Sequence, residues 1–93
     1  MKPLVSIVIP MYNEEENAPV TLKAVADVLT AEGWSYELHP VSDGSVDRTA
    51  EVLAGLAAAD PHIRPVAYPK NRGRGYALRQ GFAAARGEYT ASL

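Results

Sequence analysis

Apolar residues fall in four short runs, separated by three longer stretches in which they recur every three or four positions. Leu4 to Ile9 is nearly continuous and β-branched, the pattern of a strand buried on both faces. Asn17 to Ala31 puts Ala18, Leu22, Val25 and Leu29 on one stripe, which predicts a helix. Asn17 is placed to cap it, Pro19 fits its first turn, Glu14 to Glu16 sit near its positive end, and Gly33 ends it. Tyr36 to Val41 predicts a second strand, with Pro40 awkward near its end. Val46 to Ala58 predicts a helix capped by Ser45, with the stripe Val46, Ala50, Leu53 and Ala57, broken by Asp60-Pro61. Ile63 to Tyr68 is a third strand containing Pro65, and Pro69 to Gly75 a basic loop. Tyr76 to Arg86 is a third helix, its stripe Leu78, Phe82 and Ala85 lying beside the small residues Ala77, Gly81 and Ala84. Glu88 to Leu93 is a fourth strand.

Strand and helix alternate, and the loops between them are short. Such an order predicts an α/β domain of three layers: a mainly parallel sheet of about four strands with helices on both faces. The 93 residues make one domain, 1–93, with no repeat, linker or low-complexity segment. No run reaches the ~20 apolar residues of a membrane span. The Leu4 to Ile9 run is also too short for a signal peptide, so a cytoplasmic location is expected. With no cysteine, disulfides and thiolate metal sites are excluded. A net charge of −2 gives no general electrostatic case for nucleic acid or an anionic membrane. The distribution is more telling, because Lys70, Arg72, Arg74 and Arg79 fall close together.

In a parallel sheet the strand-to-helix turns line up on one edge, where ligands bind. All three turns here carry unusual residues. In Pro10-Met11-Tyr12-Asn13-Glu14, Tyr12 offers a flat face for stacking on a base, although Asn13 and the glutamates could serve the helix alone. In Ser42-Asp43-Gly44-Ser45, Asp43 can accept from a ring N–H or a ribose hydroxyl, or can act as turn and cap. In Lys70-Asn71-Arg72-Gly73-Arg74-Gly75, basic side chains and backbone N–H groups beside a helix N-terminus suit a phosphate, or form a solvated loop. The spacing matches neither a dinucleotide fingerprint nor a Walker A loop. His39 and His62 lack metal-ligand spacing, and Trp34 is expected to pack. Ser6 and Ser92 lie in strands without a nucleophile elbow, which leaves a hydrolase triad unsupported.

Together the motifs resemble the start of a family 2 glycosyltransferase of the GT-A fold, over the whole chain. Val5 to Glu14 is similar to that family's opening strand and Pro-x-Tyr-Asn-Glu turn, and Val41 to Thr49 to its Asp/Asn-Asp-Gly-Ser-x-Asp-x-Thr segment. Asn71 to Ala77 and Ala85 to Tyr89 resemble its Asn-x-Gly-x-Gly-x-Ala and Ala-x-Gly-Glu-Tyr signatures. The pattern leans toward the dolichyl-phosphate mannose synthase-like branch. The resemblance implies the N-terminal half of a GT-A, Rossmann-like fold and a UDP- or GDP-sugar donor. It implies an acceptor that is a polyprenyl phosphate or a growing glycan, and a longer parent that can be membrane-associated. By that analogy Pro10, Tyr12 and Glu14 flank the nucleoside, Asp43 accepts from the base, and Asn71, Gly73, Arg74 and Gly75 lie near the ribose or diphosphate. Ser42 replaces the common first Asp or Asn. The family's Asp-x-Asp motif, which holds Mg²⁺ or Mn²⁺, has no counterpart in these 93 residues, and neither does its catalytic base. No catalytic or metal-binding residue is therefore expected within the chain, which is expected to be truncated before that motif, to bind nucleotide weakly and to transfer no sugar. Two other readings stand beside this one. A sugar nucleotidyltransferase is disfavoured, because Met11 to Glu14 occupies the place of its Gly-rich loop. A non-catalytic fragment would expose the edge of strand 4 and self-associate through it.

Overall fold

The computed structural model describes residues 3–93. The elements run β1 (Val5–Met11), α1 (Ala18–Ala31), β2 (Tyr36–Asp43), α2 (Thr49–Ala59), β3 (Val66–Tyr68), α3 (Arg74–Ala84) and β4 (Tyr89–Ser92). The four strands form one parallel sheet in the order β3-β2-β1-β4. The chain steps outward from β1 to β3 and then crosses back to place β4 on the other side of β1. Strand order thus reverses at β1, the kind of point where open α/β sheets bind ligands.

Alternation along the central strands sorts the two faces. Ile9, Met11 and Leu38 pack with Leu22 and Leu29 of α1 and Leu53 of α2. Val8 and Val41 face the other way, onto Ala77 of α3. Helices therefore cover both faces of the sheet. On β2 the α3 face carries Glu37, His39, Val41 and Asp43, alternate residues of a strand that is buried from Glu37 onward.

Several boundaries differ from the sequence expectation, each for a local reason. Strand β2 runs on through Asp43, so the candidate carboxylate ends a strand. Strand β3 shrinks to Val66–Tyr68, with an isolated bridge between Leu38 and Ile63. Pro65 has no N–H to continue the ladder between them. Pro40 is accommodated in the same gap. Leu38 bonds His62 and Arg64 on the β3 side, so by parallel alternation the nitrogen of Pro40 also faces β3, where no ladder forms.

Helix α2 begins at Thr49, three residues after the expected start, and Ser45 does not cap it. Val46 is 83% exposed, and the buried stripe is Thr49 and Leu53, flanked by Val52, Leu56 and Ala57. Asn17 makes no side-chain cap to α1. Helix α3 spans Arg74–Ala84 and lies with Ala77 and Gly81 against the sheet, leaving Phe82 45% exposed. The small residues set its contact face because a Cβ at Gly81 would come within 2.2 Å of Val8 Cγ1. Gly33, at φ +74°, ends α1 as expected. Trp34 is half-exposed beside Leu4, Ile7, Leu29 and Tyr89.

Candidate nucleotide site

The three turns are fastened to one another by their own side chains. Asn13 adopts φ +53° and its Oδ1 accepts the N–H of Val46 at 2.9 Å. In return Ser45 Oγ accepts the N–H of Asn13 at 3.1 Å, Thr49 Oγ1 that of Glu14 at 2.8 Å, and Asp47 Oδ2 that of Glu15 at 3.2 Å. Asp47 Oδ1 also accepts the N–H of Thr49 at 2.9 Å, an Asx turn that holds the start of α2. This mutual latch explains why the helix starts late. Ser45 and Asp47 are engaged with the first turn, and Asp47, one residue further from the helix than a cap, steadies its entry.

Asp43 fastens the third turn. Its Oδ1 accepts from Tyr68 Oη at 2.7 Å and from the N–H of Arg72 at 2.9 Å. Its Oδ2 accepts from Asn71 Nδ2 at 3.1 Å and from the N–H of Gly73 at 3.0 Å. Asn71 Nδ2 also reaches the carbonyl oxygen of Asp43 at 3.0 Å. Tyr68 stands directly opposite Asp43 in the β2–β3 register. Asp43 is only 5% exposed. Burial raises its pKa, but the N–H of Arg72, the Tyr68 hydroxyl and the N–H of Gly73 outweigh burial and hold it below the usual carboxylate range. Burial and the Asp43 carboxylate push the Tyr68 hydroxyl upward, so it stays a donor. Gly44 permits this docking, since at φ +62° a Cβ there would lie 2.0 Å from the backbone nitrogen of Asn71.

Between the turns lies a cleft of about 290 Å³ lined by Pro10, Met11, Tyr12, Asp43, Asn71, Gly73 and Arg74. Six of the eight nucleotide candidates are thus brought together. Glu14 is outside the lining. It borders a separate acidic pocket with Asn13, Glu15, Glu16, Asn17 and Asp47. Gly75, in the first turn of α3, is exposed and also outside the lining. Tyr12 is 49% exposed at the cleft wall. Arg74 lines the cleft and donates through Nη2 to the carbonyl of Leu93. The guanidinium carbons of Arg72 and Arg79 lie 5.4 and 6.0 Å from the ring centroid of Tyr76. Among the described residues, no carboxylate pairs with Lys70, Arg72, Arg74 or Arg79. An aromatic face, the Arg74 guanidinium and a saturated inward carboxylate suit a flat ring that carries phosphate. Among the described residues, no group of three or more His, Asp or Glu could hold a metal ion.

A second buried polar cluster escaped the sequence reading. Glu37, 2% exposed, bonds Ser6, His39 and Arg86 at the far end of the sheet from the cleft. Its signal was present as Glu37-x-His39, two polar residues in alternation between the apolar Tyr36, Leu38 and Val41.

The profile described as Glycosyl transferase family 2 matches residues 6–93. The chain belongs to that family. Among similar family members, the undecaprenyl-phosphate 4-deoxy-4-formamido-L-arabinose transferase of Pectobacterium carotovorum subsp. carotovorum (strain PC1) is 42% identical over 91 residues, which are 96% of this chain and 28% of that protein. The prophage bactoprenol glucosyl transferase homolog of Escherichia coli (strain K12) is 33% identical over 84 residues, 90% of this chain and 28% of that protein. Among solved structures, the mannosyltransferase PcManGT from Pyrobaculum calidifontis, in complex with GDP-Man and Mn²⁺, superposes with a TM-score of 0.70 at 25% identity, over 95% of this chain and 26% of that one. S. aureus TarS 1-349 in complex with UDP superposes at 0.77 with 22% identity, over 97% of this chain and 26% of that one, and shares the fold. The chain therefore spans about a quarter of the length of these proteins.

Proposed function

We propose that this family 2 segment is the donor-nucleotide part of a glycosyltransferase that moves a sugar from a UDP- or GDP-sugar to a polyprenyl phosphate. The observation that carries the reading is the cleft at the carboxyl edge of the sheet, where Tyr12, Asp43, Asn71 and Arg74 converge. In this reading Tyr12 stacks on the base, Asp43 and the Asn71 to Gly73 backbone it organises form the floor, and Arg74 faces the diphosphate. The acceptor class is supported by the undecaprenyl-phosphate and bactoprenol transferases that the chain resembles at 42% and 33% identity. The dolichyl-phosphate mannose synthase-like branch and a cytoplasmic location belong to the same proposal.

The parent reaction is displacement of the nucleoside diphosphate at the anomeric carbon. Mg²⁺ or Mn²⁺ on the diphosphate would stabilise its departing charge, and a base would activate the acceptor. The 93-residue sequence contains no Asp-x-Asp, so no residue here is assigned to that metal or that base. The chain on its own is proposed to bind nucleotide weakly and without metal dependence. Calorimetry with UDP and GDP, each with and without Mn²⁺, tests this. Absence of binding to either nucleotide overturns the donor reading, and tight Mn²⁺-dependent binding overturns the metal-free assignment.

One observation favours a second behaviour. All four residues of the edge strand β4 are exposed. An apolar groove of about 480 Å³ beside it is lined by Leu4, Val5, Ile7, Leu29, Trp34, Tyr89 and Ala91. Self-association of the isolated chain through this edge is proposed on that ground. A monomer in light scattering across a concentration series would refute it.

A further inference from the structure

Glu37 lies far from the cleft and has no part in the donor site, yet its carboxylate accepts four hydrogen bonds, as many as that of Asp43. Its Oε2 accepts from Ser6 Oγ at 2.7 Å, His39 Nε2 at 2.6 Å and the N–H of Arg86 at 2.7 Å. Its Oε1 accepts from Arg86 Nε at 3.0 Å and lies 2.9 Å from Arg86 Nη2. Ser6 Oγ in turn accepts the N–H of Gly87 at 2.8 Å. One carboxylate therefore gathers β1, β2 and the turn that joins α3 to β4. A buried charge is costly unless its lone pairs are used, and ending a helix does not require one. Its distinctive product is placement: the exit of α3 is fixed on the sheet by bonds from both backbone and side chain.

That placement reaches the cleft because α3 has no slack. Ala77 is fully buried, and Gly81 packs so closely that a Cβ there would lie 2.2 Å from Val8 Cγ1. The other end of the helix opens on Gly73 and Arg74, both lining the cleft. We propose that Glu37 is a positioning residue for the nucleotide cleft, setting where α3 sits on the sheet and thereby where Gly73 and Arg74 stand. The inference rests on the donor reading above for its ligand, but not for its geometry.

The test uses the full chain and three variants. Glu37→Gln keeps the shape and sets an NH₂ group against protein donors. Arg86→Ala removes a guanidinium from a side chain that is 54% exposed, and so keeps the fold if Glu37→Gln does not. Leu29→Ala weakens the core on the α1 face and serves as the control for lost stability. Amide hydrogen exchange at residues 71–75 is read without nucleotide, and UDP affinity by calorimetry is corrected to the folded fraction. Glu37→Gln and Arg86→Ala are expected to speed exchange in that loop and to weaken UDP by roughly three- to thirtyfold. Leu29→Ala is expected to change neither. Equal effects of Leu29→Ala, or unchanged exchange and affinity in a folded Glu37→Gln or Arg86→Ala protein, overturn the proposal. If the unaltered chain binds neither UDP nor GDP, the donor reading fails by itself, and the exchange comparison still decides whether Glu37 places the loop.

Discussion

Asp43 and Glu37 stand on one face of β2 and hold opposite ends of α3. Asp43 accepts the N–H groups of Arg72 and Gly73 just before the helix, and Glu37 accepts that of Arg86 just after it. Their separation of six residues along the strand spans about 20 Å, comparable to the ~17 Å of an 11-residue helix. The two anchors are not electrostatically equivalent. Asp43 lies at the positive end of the helix dipole, whereas Glu37 lies at the negative end and depends on the Arg86 guanidinium to offset it.

Asp43→Asn is expected to loosen the third turn before it affects any ligand. The amide keeps one acceptor oxygen but turns an NH₂ group toward two of the four donors that now bond the carboxylate. Leaving buried donors unpaired beside a lost charge costs about 2–4 kcal/mol. Urea denaturation at neutral pH should show that loss, accompanied by weaker UDP and GDP binding. A variant with full stability and weakened binding would instead assign Asp43 to direct contact with the base.

Glu37 gives the chain a defined acid sensitivity. Burial raises its pKa, but hydrogen bonds from Ser6, His39 and Arg86 outweigh burial and bring it down to about 2. A folded pKa below the unfolded value contributes stability that is complete above the unfolded pKa, near 4.5, and is lost as pH falls toward 2. The shift corresponds to about 3 kcal/mol. Denaturation midpoints at pH 7, 4 and 3 should fall steeply for the unaltered chain and more shallowly for Glu37→Gln. Because the ionised carboxylate accepts from His39, the network assigns the proton of that ring to Nε2, leaving Nδ1 buried without a partner among the described residues. Nitrogen chemical shifts of His39 should report a proton on Nε2.

The element order, the parallel sheet and the edge that carries the cleft were legible from apolar periodicity, because the central strands are buried on both faces. Pro10, Tyr12, Asp43, Asn71, Gly73 and Arg74 line one cleft because turns of one parallel sheet share an edge, while the role given to each came from the family resemblance. What escaped was the purpose of individual polar groups. Ser45 looked like a local helix cap, but Ser45, Asp47 and Thr49 bond across to Asn13, Glu15 and Glu14. Arg86, expected to be the last residue of the third helix, instead docks with Gly87 on Glu37 and Ser6. Sequence pattern reports which face is buried, not which distant donor a polar side chain meets.

Gly44→Ala should disable the cleft by a different route. The residue has φ +62°, and its new Cβ would meet the backbone nitrogen of Asn71 at 2.0 Å. Main-chain atoms cannot swing aside as a flexible side chain can, so the loop from Lys70 must lift away from β2. Strain of about 1–3 kcal/mol is expected, together with loss of the protection that Asp43 gives the N–H groups of Arg72 and Gly73. Hydrogen exchange at those two amides checks it. Unchanged protection in a folded variant would show that the turn can relax around a methyl group.

Tyr12→Ala separates ligand recognition from folding more cleanly than any change at Asp43. The ring is 49% exposed and forms a cleft wall, outside both core clusters. Surface changes away from core, caps and networks stay within about 0.5 kcal/mol, so the melting curve should be nearly unaltered. Stacking of an aromatic ring on a base is worth about 1–3 kcal/mol, so UDP and GDP should both weaken about fivefold or more. Tyr12→Phe keeps the ring and should keep most of the affinity. If Phe weakens binding as much as Ala, the hydroxyl is the contact and stacking is the wrong account. If neither variant alters calorimetric affinity, the base does not lie against Tyr12, and the nucleotide must enter the cleft from the Arg74 side alone.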